Sequence, residues 1–152
     1  MILGICLGMQ MLLSESYEFE KHVGLGFIDG TVKPLKSVKK QEEYIIKVPH
    51  IGWNSFQKFN ELENTPFSNI KTTTQMYFVH SYYCDVNQSD NILTKTMYGN
   101  VDFHSIIAKN NIYGCQFHPE RSGQEGLLIL KNFASMTTKK NRRINNVSAN
   151  QR

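Results

Sequence analysis

No stretch of this 152-residue chain reaches the roughly 18 consecutive apolar residues that a membrane-spanning helix needs. The opening MILGICLGMQMLL is apolar, but it has neither a basic leader nor a small-residue cleavage site, so it does not read as a secretory signal. A cytoplasmic protein without membrane contact is expected. Cysteine is scarce as well. Cys6, Cys84 and Cys115 are odd in number, widely spaced and free of any CxxC pair, which argues against a disulfide framework, a zinc site or a redox motif. Free thiols are the expectation, with no metal and no cofactor.

Acidic residues are missing altogether after Met136, where Lys139, Lys140, Arg142, Arg143 and Arg152 lie. Those five account for the formal net charge of +4, because the remaining 12 basic residues face 13 acidic ones. A nearly neutral body gives no electrostatic footprint for nucleic acid. The stretch 136–152 has no repeat and no hydrophobic period, and reads as a solvated, disordered basic tail. What is present in the body is apolar material, 40% hydrophobic and 11% aromatic, enough for the core of one domain over residues 1–135.

Residues 2–5, ILGI, form a short apolar run of buried-strand type, and residues 7–15, LGMQMLLSE, are good helix formers. After the Gly24-Leu25-Gly26 turn come FIDGTVKPL, YIIKVPHIGW, QMYFVHSYYCDV, NILTKTMYG, FHSIIAK and NIYGCQF, a run of about six β-branched and aromatic strands punctuated by Gly, Asn or Pro. From Gln124 to Met136, Leu127, Leu130, Phe133 and Ala134 recur at helical spacing, predicting a closing amphipathic helix. A strand feeding a helix through a sharp turn belongs in a parallel sheet, which needs βαβ neighbours, and the chain offers few of them. Because such strands usually run through the middle of a sheet, the front of a domain is expected to be absent, leaving Ile2, Leu3 and Ile5 as an apolar edge.

Cys6 stands at the strand-to-helix junction in Gly4-Ile5-Cys6-Leu7-Gly8, the G-x-nucleophile-x-G form of a nucleophile elbow. Flanking glycines relieve crowding against the helix backbone, and the helix N-terminus favours thiolate over thiol. A cysteine between glycines is, by itself, more often a small buried hydrophobe. A base is needed, and His118 in Tyr113-Gly114-Cys115-Gln116-Phe117-His118-Pro119-Glu120 sits directly after a strand and before a proline. It can take the thiol proton and return it to a leaving amine while Glu120 orients the imidazole. Cys115 reads as a packed strand residue.

GICLGMQ followed about a hundred residues later by GCQFHPE resembles the class I (triad) glutamine amidotransferases. Within them, KVPHIGWN, YFVHSYY and the closing Gly126-Leu127 with Leu130-Lys131-Asn132-Phe133 are similar to the HisH-type glutaminase subunits of imidazole glycerol phosphate synthase. The resemblance implies a flavodoxin-like α/β domain, a mixed sheet with flanking helices, of which residues 1–135 would be the C-terminal two-thirds. It implies hydrolysis of glutamine to glutamate, with ammonia passing to a HisF-like (β/α)₈ cyclase partner in histidine biosynthesis. Cys6, His118 and Glu120 would be the catalytic triad and the Leu7 amide an oxyanion donor. Gln10 and the backbone of His80, Ser81 and Tyr82 would hold the substrate glutamine, and Trp53, Tyr77 and Arg121 would face the cyclase. Relatives of this type carry a further N-terminal portion with a glycine-rich oxyanion loop, so the lone chain is expected to have little glutaminase activity. Three alternatives stay open: a paralogue amidating surface sugars, an inactive remnant, and a cysteine peptidase, against which the HSYY and PHIGWN segments argue.

Overall fold

The computed structural model describes residues 1–36, 46–71 and 73–149, with side chains described as far as Thr138 in the last helix. Tyr44 and Ile45, the start of one expected strand, lie outside the described residues. Strand β1 (Ile2–Ile5) leads through Cys6 into α1 (Leu7–Met11), followed by β2 (Leu13–Ser16), β3 (His22–Val23) and β4 (Ile28–Pro34). Then come β5 (His50–Asn54), β6 (Gln57–Lys58), β7 (Met76–His80), β8 (Tyr82–Val86), β9 (Ile92–Tyr98), β10 (Val101–Lys109) and β11 (Ile112–Cys115). A short 3-10 turn, Pro119–Arg121, precedes α2 (Gly123–Ala149).

The main sheet runs β1-β11-β10-β8-β4-β2-β3, with β9 on β10 and β6 on β9, while β5 and β7 form a separate two-stranded ribbon. Its β1–β11 and β2–β4 pairs are parallel and its other pairs antiparallel, so the expected mixed sheet is found. β1 is the last strand in the order and, among the described residues, pairs only with β11. Phe103–Ile107 of β10 is buried throughout, because both faces of the sheet are covered there. Alternation sends Ile106 into a cluster with Phe67, Phe78, Phe103, Phe117 and Ile129, and Ile107 into one with Met9, Leu13, Ile28 and Val32.

Three expectations about elements are corrected. The helix read over 7–15 stops at Met11, and Leu13–Ser16 is a strand, since Leu13 gains a place opposite Ile28 in the sheet that outweighs local helix propensity. The segment 75–86 is two strands in two sheets, divided at Ser81. The closing helix presents Gly126 and Ile129 inward rather than Leu127, which is 51% exposed. The cause is Gly126, where a Cβ would collide with the Pro119 carbonyl, so the helix rolls its smallest residue against the preceding turn. As described, that helix runs on to Ala149.

Candidate active site

The elbow is built from backbone strain. Cys6 has φ 50° and ψ −107°, a left-handed conformation costly for any residue with a side chain, between the end of β1 and the first turn of α1. Its amide donates to the Cys115 carbonyl at 2.8 Å, which anchors the junction to β11. A Cβ on Gly4 would lie 2.6 Å from the Gly8 carbonyl carbon and oxygen, so the glycine two residues before Cys6 is required by the helix backbone above it. Gly8 differs from expectation, because a Cβ there would meet nothing within 4 Å.

β11 delivers the other half of the site. The His118 amide donates to the Tyr77 carbonyl of β7 at 2.8 Å, and His118 Nδ1 lies 2.6 Å from Glu120 Oε1, leaving Nε2 for the thiol. The carboxylate is supplied by the 3-10 turn that Pro119 starts. Ser122 closes this turn: its hydroxyl donates to the His118 carbonyl at 2.6 Å and accepts from the Tyr77 amide at 2.9 Å. Cys6 Sγ lies 3.6 Å from the Val79 carbonyl and 3.6 Å from Gln116 Nε2. Among the described residues no hydrogen bond joins Cys6 to His118, a looseness common before substrate draws such pairs together. Burial pushes the Cys6 pKa above its ordinary value, opposed by hydrogen bonds from the Leu7 amide and Gln116 and reinforced by the charge of Glu120. The expected thiolate bias from α1 is therefore outweighed by desolvation in this state; α1 has only five residues.

A cavity of about 580 Å³ opens on the thiol, walled by Cys6, Leu7, Gln10, Glu18, Phe19, Pro49, Val79, His80, Ser81 and Tyr82. Every residue expected to hold substrate is on this wall. His118 and Glu120 are not part of it. Gln10 turns its side chain inward, donating to the Tyr82 carbonyl at 2.9 Å and to Gln116 Oε1 at 3.3 Å.

The model of the family described as glutamine amidotransferase class-I matches residues 1–136. The chain belongs to that family. Among curated relatives, imidazole glycerol phosphate synthase subunit HisH of Chlorobium luteolum is 44% identical over 133 residues, covering 88% of this chain and 62% of that protein. The protein of the same name from Chloroflexus aurantiacus is 46% identical over 132 residues, covering 86% and 59%. The chain spans about three fifths of the length of the curated relatives it matches. A solved structure from Thermoplasma acidophilum, described as one subunit of a GMP synthase, superimposes with a TM-score of 0.63 at 20% identity over 95% of this chain and 60% of that one, which shows a shared fold.

Away from the cavity, the fold brings Trp53, Tyr77 and Arg121 together. Trp53 and Tyr77 are directly opposed on β5 and β7, with ring centroids 5.8 Å apart in edge-on contact, and the Arg121 guanidinium sits 4.4 Å over the Tyr77 ring. Trp53 is 54% exposed. Gln116, Ser122 and Val79 were not among the site residues read from the sequence, although Gln116 and Ser122 flank His118 within six residues of each other. Among the described residues no group of acidic, histidine and cysteine side chains is arranged to hold a metal, and no helix is long and apolar enough to cross a membrane.

Proposed function

We propose that this amidotransferase is the glutaminase component of an imidazole glycerol phosphate synthase, cleaving glutamine and passing ammonia to a HisF-like (β/α)₈ cyclase in the cytoplasm. The carrying observation is the elbow cysteine facing the substrate-sized cavity, with the His118–Glu120 pair hung on the adjacent strand end. The names and identities of the HisH relatives support the choice of acceptor.

In this reading Cys6 Sγ attacks the side-chain amide carbon of glutamine while its proton passes to His118 Nε2. The carbonyl oxygen becomes an oxyanion to which the Leu7 amide donates. Collapse breaks the C–N bond, His118 returns the proton to the departing nitrogen, and ammonia leaves a glutamyl thioester. Water then attacks that carbon, giving one proton to His118, and the C–S bond breaks as the thiol is reprotonated and glutamate released. Glu120 keeps the imidazole in one tautomer by accepting from Nδ1, which leaves Nε2 free to move protons.

The experiment is labelling of the intact protein with a glutamine-analogue electrophile, together with glutamate release in the presence of the cyclase. Covalent modification at Cys6, and a loss of turnover of about 10²–10⁴-fold in His118→Asn with folding retained, are expected. Turnover persisting in that variant, or peptide cleavage in place of glutamate release, overturns the reading.

A further inference from the structure

The nucleophile has a buried amide neighbour that the triad does not include. Gln116 is fully buried between β11 and the triad histidine, its backbone amide held by the Ser105 carbonyl at 2.9 Å. Its side chain reaches Cys6 Sγ at 3.6 Å on one side and Gln10 on the other. Which end of the carboxamide faces the sulfur is decided by chemistry further along the chain of contacts. The Tyr82 carbonyl can only accept, so the Gln10 atom 2.9 Å from it must be the NH₂ group. That same NH₂ lies 3.3 Å from Gln116, so the Gln116 atom facing it must be the carbonyl oxygen. The Gln116 NH₂ is thereby turned onto the thiol. The opposite orientation would set two NH₂ groups against each other and a carbonyl against the sulfur, with both amides buried.

We infer that Gln116 is a positioning residue for the nucleophile, donating a hydrogen bond to Cys6 Sγ in an orientation locked by Gln10 and the Tyr82 carbonyl. The inference rests on Cys6 being the nucleophile. Three groups, acting in opposite senses, then meet the sulfur: the Val79 carbonyl can accept only from the S–H form, whereas Gln116 and the Leu7 amide donate to the thiolate. Gln116 thus offsets part of the burial that pushes the Cys6 pKa upward. The other ionisable groups around the sulfur are Glu120, whose charge raises the pKa, His118 of the triad, and Glu18 and His80 on the cavity wall. Cys84 and Cys115 are fully buried with raised pKa values, so they stay protonated. Gln116 is not on the cavity wall, whereas Gln10 is. Loss of the Gln116 donor should therefore lower kcat and leave KM for glutamine near its original value, while a change at Gln10 should alter both.

The test is the pH dependence of Cys6 alkylation by iodoacetamide, followed by mass spectrometry of the Cys6 peptide. This readout does not depend on glutamine turnover, so it stands apart from the test of the proposed activity. Gln116→Met should move the midpoint up by about one to two pH units, the scale of one hydrogen bond to a charged atom. Gln116→Glu should move it further, and Gln10→Met in the same direction by less. An unmoved midpoint in a Gln116→Met variant with a native circular dichroism spectrum overturns the inference. If the variants fail to fold, the wild-type chain decides the matter by nitrogen-15 labelling of glutamine. The Gln116 side-chain amide resonances should shift with the Cys6 midpoint, and resonances indifferent to that midpoint would equally overturn it.

Discussion

His80 and His50 hold each other in one tautomeric arrangement. His80 Nδ1 lies 2.8 Å from the Tyr82 carbonyl and so carries the proton, which leaves its Nε2 to accept from His50 Nδ1 at 3.0 Å. His50 is also stacked on Tyr98 with centroids 3.9 Å apart, and burial pushes both imidazoles down to about 4. An unfolded histidine titrates near 6.5. Between those values the unfolded chain binds protons that the folded chain refuses, so stability is fully present above about pH 6.5 and falls as pH drops toward 4. For His80 the loss reaches up to about 3 kcal/mol. His104, also lowered by burial, acts with the same sign. Melting temperature should therefore drop steeply from pH 7 to pH 4.5. His50→Phe should flatten that limb while costing about 1 kcal/mol at pH 7 for the lost hydrogen bond. Superimposable acid limbs in the two proteins would refute the assignment. At this scale the proposed triad was legible, because Cys6 in its elbow and His118 with Glu120 in their motif supply a nucleophile, a base and an orienting carboxylate together, which no one of them does alone. Gln116 was not, although it stands in the same motif, since an amide acquires a role only from the sulfur and the second amide that folding brings beside it.

At the scale of elements, the elbow separates two glycines that look equivalent in Gly4-Ile5-Cys6-Leu7-Gly8. Gly4→Ala must push on the Gly8 carbonyl and the Met9 amide, which are backbone and cannot step aside, so a loss of roughly 1–3 kcal/mol is expected along with displacement of α1. Gly8→Ala meets open space within a helix, where alanine is favoured over glycine by roughly 0.5–1 kcal/mol, and should stabilise the fold. Denaturant midpoints of the two variants check this; equal losses in both would show that the turn, not the close approach, is what demands glycine. The strand-helix junction was readable because its requirement is local. The length of α1 was not, because Leu13 has the same apolar character in a helix or a strand, and only Ile28 across the sheet decides between them. The roll of α2 was likewise hidden in Gly126, whose meaning depends on the Pro119 carbonyl beneath it.

Across the whole molecule, the family was legible from two motifs, whereas the division into a main sheet and a ribbon was not, since QMYFVHSYYCDV carries no glycine, proline or asparagine to mark a break. Its split at Ser81 has a functional consequence. Ribbon strand β7 carries Tyr77 at one point and Val79 and His80 at others, so one short strand contacts His118 through the Tyr77 carbonyl and the Cys6 thiol through the Val79 carbonyl. It shares with β5 the Trp53–Tyr77–Arg121 group, in which Trp53 and Arg121 are exposed and Tyr77 half-buried. An exposed tryptophan packed on a tyrosine that also carries an arginine has the composition found at the energetic centre of protein interfaces. If the cyclase docks here, Trp53→Ala should weaken its association by tenfold or more, about 2 kcal/mol. Arg121→Ala should have a smaller effect, about 0.5–1 kcal/mol, since its stacking on Tyr77 is solvent-exposed. Titration calorimetry against the cyclase measures both. Because both substitutions leave the main sheet untouched, unchanged affinity in Trp53→Ala with a native melting curve would move the docking face elsewhere, and an equal loss in both variants would point to charge rather than aromatic burial as its basis.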